Sequence, residues 1–547
     1  MQTTQTYDYI VVGGGSSGCI VAARLAEAGA GSVLLLEAGN AAEKNPETMS
    51  ADGFIQSFSN DNVMLDRLSD SQVACGGRRI YVGSGTGMGG SGAVNGMVYT
   101  RGDKLDFAQW PAGWRWDDVT PAFEALETRL KVKTRKPTSF LDTCADAAIQ
   151  AGFKRKDVLN DGELCGFMGY QLMNYDGDRR RSSYMSFIHG VGNSNLVVQT
   201  DALVHRIVFD DNKRAVAVEY EHNGDKKTVG VKGEVILCAG ACESPKLLML
   251  SGIGESRQLQ RFGIPVVLDL PSVGKHMQDH PSLAVFYRGK HEPDSFYPQL
   301  YGFDRVNRQL PLPNNQADTC YVFFTTPTAL GQSMKRILPA MALPASLFRN
   351  VLLRKLLNGL VDFMFMIPLT RIFVAKMYGI VVILGKPLSR GEVRLASNNP
   401  RDQAQVNPGY LADPQDLETM VDGVLRAQSI AKQPLFATWG NKPLSPIAAT
   451  IDREKIRKGV RSGVMTTFHY CGSCRMGEGD DSPVDLQLRV KGIENLRVAD
   501  ASVIPEIPVS ALNAPSMMIG YRAADFILKA MTARTDKQRA SADSKVA

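Results

Sequence analysis

The sequence predicts an α/β fold because one complete strand–turn–helix–strand unit stands near its N-terminus. Tyr9 to Val12 form a short apolar, β-branched strand, and Cys19 to Glu27 form an alanine-rich helical stretch. Val33 to Leu36 form a second apolar strand. Three glycines at GxGxxG spacing join the first strand to the helix: Gly13, Gly15 and Gly18. These elements, in this order, are typical of a doubly wound sheet that binds a dinucleotide.

The glycine turn indicates which ligand the unit holds. Glycines allow a tight turn, close approach of the backbone to a pyrophosphate, and packing of the helix on the strand, while the helix N-terminus offers unpaired N–H groups to phosphates. Glu37 follows the second strand, 19 residues after Gly18, where an acidic side chain binds ribose hydroxyls. We therefore expect FAD or NAD rather than a 2′-phosphorylated cofactor. The predicted contacts in this unit are Gly13, Gly15, Ser16, Ser17, Gly18 and Glu37.

Length, charge and cysteine content narrow the class of protein. The 547 residues exceed the roughly 250 to 300 at which one core stops growing, so at least two domains are expected. A net charge of +6, from 62 basic and 56 acidic residues, is too small and dispersed to indicate nucleic acid as a partner. Nine cysteines scattered over a long chain and the absence of a signal-peptide pattern favour reduced thiols and a cytoplasmic protein.

Further elements follow along the chain. Residues 82–95 are dense in glycine and indicate a loop pressed against a ligand. Residues 195–221 alternate like paired strands, and 234–238 form a strand that leads into a small-residue loop and an apolar helix ending near Gly254. Residues 285–333 show no regular pattern, 378–397 suggest two strands joined by a turn, and 414–433 an amphipathic helix. The polar tail 532–547 is expected to be frayed.

Three more motifs complete a family resemblance. Gly85 to Ala108 reads GTGMGGSGAVNGMVYTRGDKLDFA, Gly240 to Gly254 reads GACESPKLLMLSGIG, and His469 to Gly520 contains HYCGSCRMG and ALNAPSMMIG. With the N-terminal unit, these motifs resemble those of the glucose-methanol-choline (GMC) family of FAD-dependent oxidoreductases, in the same order. The resemblance extends from about Tyr7 to Leu528.

Two departures from the family pattern lie in the first of these motifs. Thr86 stands where a basic residue or Asn is usual, and Met88 where Leu, Ile or Val is usual. Members that attach FAD covalently use a histidine just before the position of Asn95, and this chain has Val94 there. The resemblance therefore implies non-covalent FAD.

The resemblance also implies the fold and the remaining cofactor contacts. The expected architecture, α+β overall, is a Rossmann-like FAD-binding domain formed by residues 1–106, 195–285 and 465–531. A substrate domain of helices and an antiparallel sheet is expected over 107–194 and 286–464. The implied contacts to the flavin and its chain are Gly90, Asn95, Gly96, Met97, Val98, Val204, Ala239, Asp500, Ala501, Pro515 and Met517.

His469 and Asn513 are the predicted catalytic residues, since the resemblance places both beside the substrate carbon. Alcohol oxidation needs a base for the hydroxyl proton while a hydride leaves the same carbon for flavin N5. Histidine has the ordinary pKa closest to neutral, so His469 suits that task. Asn513 replaces the second histidine of some members, as in their alcohol and choline branches, and can donate a hydrogen bond to the alcohol oxygen.

Other candidate side chains have weaker support. His276 and His280 in GKHMQDHP suggest a metal site only faintly, and we expect no metal. Cys471 and Cys474 form CGSC, which favours structural cysteines over a redox pair or half of a metal site.

Residues 334–384 combine aliphatic and Met/Phe runs with seven basic residues and one acid, Asp362. This composition is typical of an interfacial amphipathic segment, while Pro339, Pro344 and Pro368 argue against a membrane span. Two interpretations stay open: a peripheral surface on the inner face of the cytoplasmic membrane, or an insert packed in the core or an oligomer interface. The membrane interpretation favours a medium- or long-chain alcohol as substrate.

The leading hypothesis is FAD-dependent oxidation of a primary alcohol to the aldehyde, with electrons passed to a quinone or another acceptor. An oxidase that uses O2 has the same motifs. A lyase or a fatty-acid photodecarboxylase of the same fold is the alternative from a different class of reaction, and Asn513 weighs against the lyase. A flavin-bound interaction module is disfavoured because His469 and Asn513 are both present.

Overall fold

Two large sheets organise the molecule. The computed structural model describes the backbone of residues 5–325 and 327–546 and the side chains of residues 5–325 and 330–533. One sheet has seven strands and is mainly parallel at its centre, and the other has eight and is mainly antiparallel. Each has its own large apolar core. The predicted fold class, an α/β nucleotide-binding unit in a fold that is α+β overall, is confirmed.

The seven-stranded sheet contains the predicted nucleotide-binding unit. Its strands in spatial order are Leu196–Gln199, Val33–Leu36, Thr6–Val12, Asp225–Leu237, Ala215–His222 and Ala202–Phe209, with Leu496–Val498 also paired to Asp225–Leu237. The strands Thr6–Val12 and Val33–Leu36 run parallel. Both are mostly buried, as expected for parallel strands covered on both faces.

The carboxyl ends of the parallel strands meet at one edge of this sheet. There the N–H groups of Gly13, Cys238 and Ala499 donate to the last residues of neighbouring strands at 2.7 to 2.8 Å. Segments far apart in the sequence therefore end side by side. Ligands of open α/β sheets bind at this edge, and the glycine turn, Glu37 and Asp500 lie around it.

The eight-stranded sheet confirms the antiparallel sheet expected for the substrate domain. Its strands in spatial order are Lys442–Pro443, Pro281–Arg288, Met377–Leu384, Thr319–Thr325, Leu300–Asp304, Phe167–Tyr170 and Lys154–Arg155, with Met465–Thr466 also paired to Pro281–Arg288. Only the edge pair of Lys154–Arg155 with Phe167–Tyr170 is parallel. The predicted domain boundary at residue 285 falls inside a strand of this sheet.

The expectation of irregular structure over residues 285–333 is wrong. Leu300–Asp304 and Thr319–Thr325 are strands inside the second sheet, and nearly every residue of both is buried. A strand covered on both faces has a continuous apolar run instead of alternation, so the pattern gave no period-2 signal. The two strands suggested for 378–397 exist, as Met377–Leu384 and Glu392–Arg394, but they pair with different partners.

Helices fill the space around both sheets. The longer ones are Gly18–Glu27, Trp116–Leu130, Ser139–Gln150, Glu243–Leu250, Pro327–Ala342, Val351–Met366, Pro368–Ala375, Pro414–Ala431, Arg453–Gly463 and Asn513–Val546. Short helices are Phe54–Ser59, Ser91–Val94, Lys104–Ala108, Ser183–Phe187, Ser256–Arg261, Pro434–Trp439 and Pro446–Ala449, and 3-10 turns are Ala42–Lys44, Pro46–Thr48, Val73–Cys75 and Ala501–Val503. The helix Pro414–Ala431 confirms the amphipathic helix predicted at 414–433.

Two predicted segments differ in the structure. The last helix is continuous through residue 546, so the frayed tail predicted from residue 532 is not seen; residues 532–546 contain no glycine or proline, and alanine, lysine and arginine favour a helix. Residue 547 lies outside the described residues. The apolar and basic segment 334–384 divides into helices up to Ala375 and the buried strand Met377–Leu384, so its last part lies in the second sheet.

A Gly18→Ala substitution is expected to destabilise the first sheet. An added Cβ would lie 1.9 Å from the carbonyl oxygen of Gly13, so helix and strand must separate, at a cost of ~1–3 kcal/mol or more. A lower apparent Tm by circular dichroism would show this. Gly192→Ala is the matched control, because no atom lies within 4 Å of its added Cβ. Equal midpoints for the two variants would contradict the argument.

Candidate active site

A cavity of about 910 Å³ lies where the two sheets meet. Its wall brings together most of the residues predicted to bind the cofactor or act in catalysis: Gly13, Gly15, Ser16, Ser17, Glu37, Gly90, Asn95, Gly96, Val98, Val204, Ala239, Asp500, Ala501, His469 and Asn513. They come from five separate parts of the chain. A volume of this size is typical of a cofactor or small-molecule site.

Four predicted cofactor contacts are not part of this wall. Gly18 packs its helix against the first strand. Met97 lies in a small core with Ala51 and Met173, and Met517 lies in the core of the first sheet. Pro515 is buried as well, and Leu512 and Ser516 line the cavity beside it. These four residues lie behind the wall. The apolar side chains of Met97, Pro515 and Met517 are stabilised by burial in the core.

Glu37 joins three loops at one end of the cavity. Its carboxylate accepts hydrogen bonds from the backbone N–H groups of Gly14 at 2.7 Å, Gly39 at 2.8 Å and Gly87 at 2.9 Å. Burial raises the pKa of Glu37, and these bonds together with the Thr86 hydroxyl act in the opposite direction. Thr86, one of the two departures from the family pattern, thus contributes to the environment of the acid predicted to bind ribose.

Glycine allows two loops to touch and form a cradle. The N–H of Gly89 donates to the carbonyl of Gly14 at 2.8 Å, and a Cβ on Gly90 would lie 2.8 Å from the Cα of Gly15. The glycine turn and the second predicted motif therefore face the same cavity at backbone distance. This backbone surface fits the pyrophosphate and flavin of the implied cofactor.

Asp500 closes the cradle from a third loop. Its carboxylate accepts from the Gly240 N–H at 2.8 Å, from the Ser244 hydroxyl at 2.5 Å and from the Ser502 N–H at 2.8 Å. Asp500 is nearly fully buried. It therefore fixes the loop after Leu237 against the loop after Val498, where Ala239 and Ala501 enter the cavity wall.

A buried carboxylate positions His469. The backbone N–H of His469 donates to Asp279 Oδ1 at 2.8 Å, and the hydroxyls of Thr466 and Tyr410 donate to Asp279 Oδ2, the former at 2.6 Å. Burial raises the pKa of Asp279 to about 6. Phe468, directly before His469, is held at φ +65°, a conformation that non-glycine residues rarely adopt. Such strain persists only where the surroundings enforce it.

A second histidine contacts His469. The Nδ1 atoms of His469 and His280 lie 2.9 Å apart, and the Thr467 hydroxyl lies 2.9 Å from the same atom of His469. The Thr467 hydroxyl also lies within hydrogen-bond distance, 2.9 Å, of the carbonyl of His280. Thr467 and His280 both engage Nδ1 of His469, and Nε2 has no hydrogen-bond partner among the described residues. Burial lowers the pKa of His469 to about 4, which keeps the ring neutral at physiological pH.

Asn513 offers an unused donor. Its Oδ1 accepts from the Ser16 hydroxyl at 2.8 Å, and its buried Nδ2 makes no hydrogen bond among the described residues. Buried amide groups without partners are rare and costly. Since Asn513 lines the cavity, this amide is suited to a ligand, and the orphaned donor together with the glycine cradle fits a bound flavin and its substrate.

The sequence did not single out several residues that the structure brings to the site. Asp279 and His280 lie about 190 residues before His469. The segment GKHMQDHP marked only His280, with His276, as a weak metal candidate, and did not mark Asp279. Among the described residues, no group of three or more His, Cys, Asp or Glu side chains is placed to hold a metal. Cys471 and Cys474 are both free and buried, and burial raises the pKa of both thiols, which makes them poor nucleophiles.

Arg180 was also missed, because it stands in a run of three arginines without a motif. Its guanidinium is fully buried and donates to Asn95 Oδ1 at 2.8 Å, to the Asn95 carbonyl at 2.7 Å and to the Gly92 carbonyl at 3.2 Å. Burial lowers the pKa of Arg180 to about 9, and nearby Arg135 acts in the same direction. This side chain fixes the loop that bears the predicted flavin contacts.

Comparison with known proteins identifies the family. Models of the GMC oxidoreductase family match residues 7–282 and 387–520. The fold and site thus define a flavin-dependent oxidoreductase. The chain belongs to the GMC oxidoreductase family, and its cofactor is FAD.

Relatives cover nearly the whole chain. The oxygen-dependent choline dehydrogenase of Paraburkholderia xenovorans (strain LB400) is 32% identical over 95% of this chain and 94% of the relative. The oxygen-dependent choline dehydrogenase of Chromohalobacter salexigens is 32% identical over 100% of this chain and 98% of the relative. Among solved structures, pyridoxine 4-oxidase from Mesorbium loti has a TM-score of 0.81 at 25% identity, covering 95% of this chain and 98% of that one. A variant of formate oxidase from Aspergillus oryzae RIB40 has a TM-score of 0.79 at 23% identity, covering 96% and 99%, and shows the fold alone.

Acid is expected to destabilise the fold through its buried histidines. Burial, and the nearby charge of Lys386, hold the pKa of His280 well below 6.5, so folded His280 and His469 stay neutral while unfolded ones take up protons below pH 6.5. The stability that these two histidines contribute is then full above pH 6.5 and is lost toward pH 4, by up to about 1.4 kcal/mol per pH unit for each histidine. The raised pKa of Asp279 acts in the opposite direction, so comparison with a variant isolates the histidine contribution. The measurement is the apparent Tm between pH 7.5 and 5.5.

His280→Asn should give a shallower dependence of Tm on pH than the wild type. His291→Asn, which changes an exposed histidine, serves as control and should leave the slope unchanged. An unchanged slope in His280→Asn would contradict a neutral buried histidine at this position.

Proposed function

We propose that the protein oxidises an apolar primary alcohol to the aldehyde, with His469 as the base. The observation that carries this proposal is the presence of a neutral histidine and an unpaired amide donor, Asn513, on the wall of one largely apolar cavity. FAD supplies the acceptor of the hydride at flavin N5. The protein residues bind the alcohol, orient it and take its proton.

His469 receives the proton at Nε2. Its Nδ1 is engaged by Thr467 and His280, so Nε2 is the nitrogen left for the substrate hydroxyl. Asn513 Nδ2 donates to the same oxygen and strengthens that bond as negative charge develops. The imidazolium that forms keeps its Nδ1–H bond and stabilises the alkoxide by its positive charge.

The cavity wall supports an uncharged, apolar substrate. Apart from the cofactor loops, its apolar lining includes Phe54, Phe58, Tyr301, Ile337 and Phe468, and Ser333, Arg401 and Gln403 are among its polar residues. The carboxylates among the described lining residues are those of three acids that already have protein partners: Glu37, Glu243 and Asp500. None is left to balance a cationic headgroup.

Choline is the second candidate substrate. The relatives named oxygen-dependent choline dehydrogenase favour it. Phe58 and Phe468, with ring centroids 5.8 Å apart, both line the cavity, and aromatic rings attract quaternary ammonium groups. The absence of a free carboxylate in the described wall makes it the less favoured of the two.

FAD is proposed to be bound without a covalent link. Val94 lines the cavity beside Asn95, and its side chain has no nucleophilic atom that could attach to the flavin. Electrons then pass to a quinone or to O2, and the same anaerobic sample can distinguish these acceptors.

Anaerobic mixing with alcohols in the dark tests the reaction. We expect medium- and long-chain primary alcohols to bleach the flavin band near 450 nm, and ethanol, glucose and choline to bleach it far more slowly. Fast recolouring in air would indicate an oxidase, and recolouring only with a quinone a dehydrogenase. An unbleached flavin with every alcohol would overturn the proposal in favour of a lyase or a light-driven decarboxylase, the latter tested with fatty acids under blue light.

Substitution tests the two catalytic roles. His469→Ala should lower kcat with the best alcohol by ~10²–10⁴-fold because it removes the base, while FAD content stays unchanged. Asn513→Ala should lower kcat less and raise KM, since one hydrogen bond is lost. His291→Ala, at an exposed position, is the control. Full turnover by a folded, FAD-loaded His469→Ala variant would refute the role of this histidine.

A further inference from the structure

The most exposed apolar surface of the molecule lies on two consecutive helices. Thirteen of the 24 large apolar side chains that are exposed in the described part of the chain fall between Met341 and Phe373. Most belong to the helices Val351–Met366 and Pro368–Ala375, called here the outer helices. Soluble monomers rarely leave such apolar patches uncovered unless they bind a partner or a membrane.

The exposed side chains form one face. Leu352, Leu356, Leu360 and Phe363 follow helical spacing and are 68, 64, 50 and 60% exposed, whereas Val361 on the other side is buried. Leu369 and Ile372 continue the face on the second helix, at 75 and 56%. This arrangement is an amphipathic surface whose apolar side points away from the protein.

The same surface is positively charged. Arg349, Lys355 and Arg371 are exposed, and no ion pair is recorded for any of them among the described residues. The one acid between residues 341 and 376, Asp362, is paired with Lys335 at 2.6 Å. Cations around an apolar face are complementary to a bilayer that contains anionic lipid.

Ion pairs join the first outer helix to the protein body. Arg354 of this helix binds Asp61 at 3.0 Å and Asp66 at 2.7 Å, and Arg336 of the neighbouring helix Pro327–Ala342, only 2% exposed, binds the same two carboxylates. The apolar face is therefore attached to the body through Arg354 and is not a loose end of chain.

The shape of the outer helices fits a surface position. No single helix in the described residues has the length and composition to cross a membrane, and the one pair that meets that test jointly bends by 81° at its break. A second copy of the chain is less suitable as the partner, since a two-fold interface would bring two copies of the same positively charged surface together.

One helix connects the outer helices with the cavity. The helix Pro327–Ala342 packs between the outer helix Val351–Met366 and the short helix Phe54–Ser59. Its residues Ser333 and Ile337 line the cavity that contains His469. An apolar molecule dissolved in a bilayer would thus have a short route to the site.

We propose that the outer helices dock the protein on the surface of an anionic phospholipid bilayer. The apolar face enters the boundary between headgroups and acyl chains, and the three cations contact lipid phosphates. This inference does not depend on which alcohol the enzyme oxidises, because membrane binding is measured without turnover.

Co-sedimentation of the FAD-loaded protein with vesicles tests the docking. We expect binding to vesicles of phosphatidylcholine and phosphatidylglycerol at 3:1, and weaker binding to phosphatidylcholine alone. Leu356→Asp/Phe363→Asp should weaken binding at least tenfold, since two apolar side chains leave the bilayer. Ile451→Asp is the matched control, because Ile451 is 73% exposed outside this surface and should have no effect.

A charge variant separates the electrostatic from the apolar contribution to vesicle binding. Binding of Arg349→Gln/Lys355→Gln/Arg371→Gln to vesicles with phosphatidylglycerol should be about tenfold weaker or more, and its binding to phosphatidylcholine alone should change little. Hydrogen exchange on the wild type gives a readout that needs no variant, and vesicles should protect residues 351–375.

Three outcomes would overturn the proposal. They are equal vesicle binding by the wild type and a folded Leu356→Asp/Phe363→Asp variant, unchanged exchange at residues 351–375, and a wild-type dimer that this variant converts to a monomer while no vesicle binding is seen. The last result would assign the face to a second copy of the chain.

Discussion

A single buried carboxylate, Asp279, holds the segment that contains the proposed base, His469, in place. It accepts from the backbone N–H of His469 and from the hydroxyls of Thr466 and Tyr410. Its neighbour Gln278 exchanges backbone hydrogen bonds with Cys471 at 2.9 Å. The segment that precedes the strand Pro281–Arg288 is thereby joined to the segment that contains His469. A buried acid is tolerated only when its lone pairs are satisfied, and here that requirement fixes the direction of His469.

Burial also sets the chemistry of the proposed base. It keeps both histidines of the pair neutral at physiological pH. Thr467 and His280 engage Nδ1 of His469, which leaves Nε2 as the nitrogen without a hydrogen-bond partner among the described residues. The strained Phe468 contributes to this arrangement, because its backbone conformation turns the chain so that His469 faces the cavity.

The sequence predicted the structural elements whose signals lie in neighbouring residues and missed the contacts between residues that are far apart in the chain. The first strand, glycine turn, helix and Glu37 have local signals, and the structure has each at its expected place. The strand Thr319–Thr325 gave no alternation because neighbouring strands and helices bury both of its faces. The pairing of His280 with His469 spans 189 residues, a separation over which no periodicity acts. Family motifs gave His469 and Asn513, but not the residues that orient them.

The last helix has an electrostatic consequence for the site. Asn513 is its first residue, so the helix axis starts at the cavity and runs outward for 34 residues. The macrodipole of a helix places about half a positive charge at its N-terminus. No acidic side chain stands in its first turn to neutralise that charge. The positive end of the dipole is therefore available to the oxygen that Asn513 would hold, and favours its anionic form in the transition state.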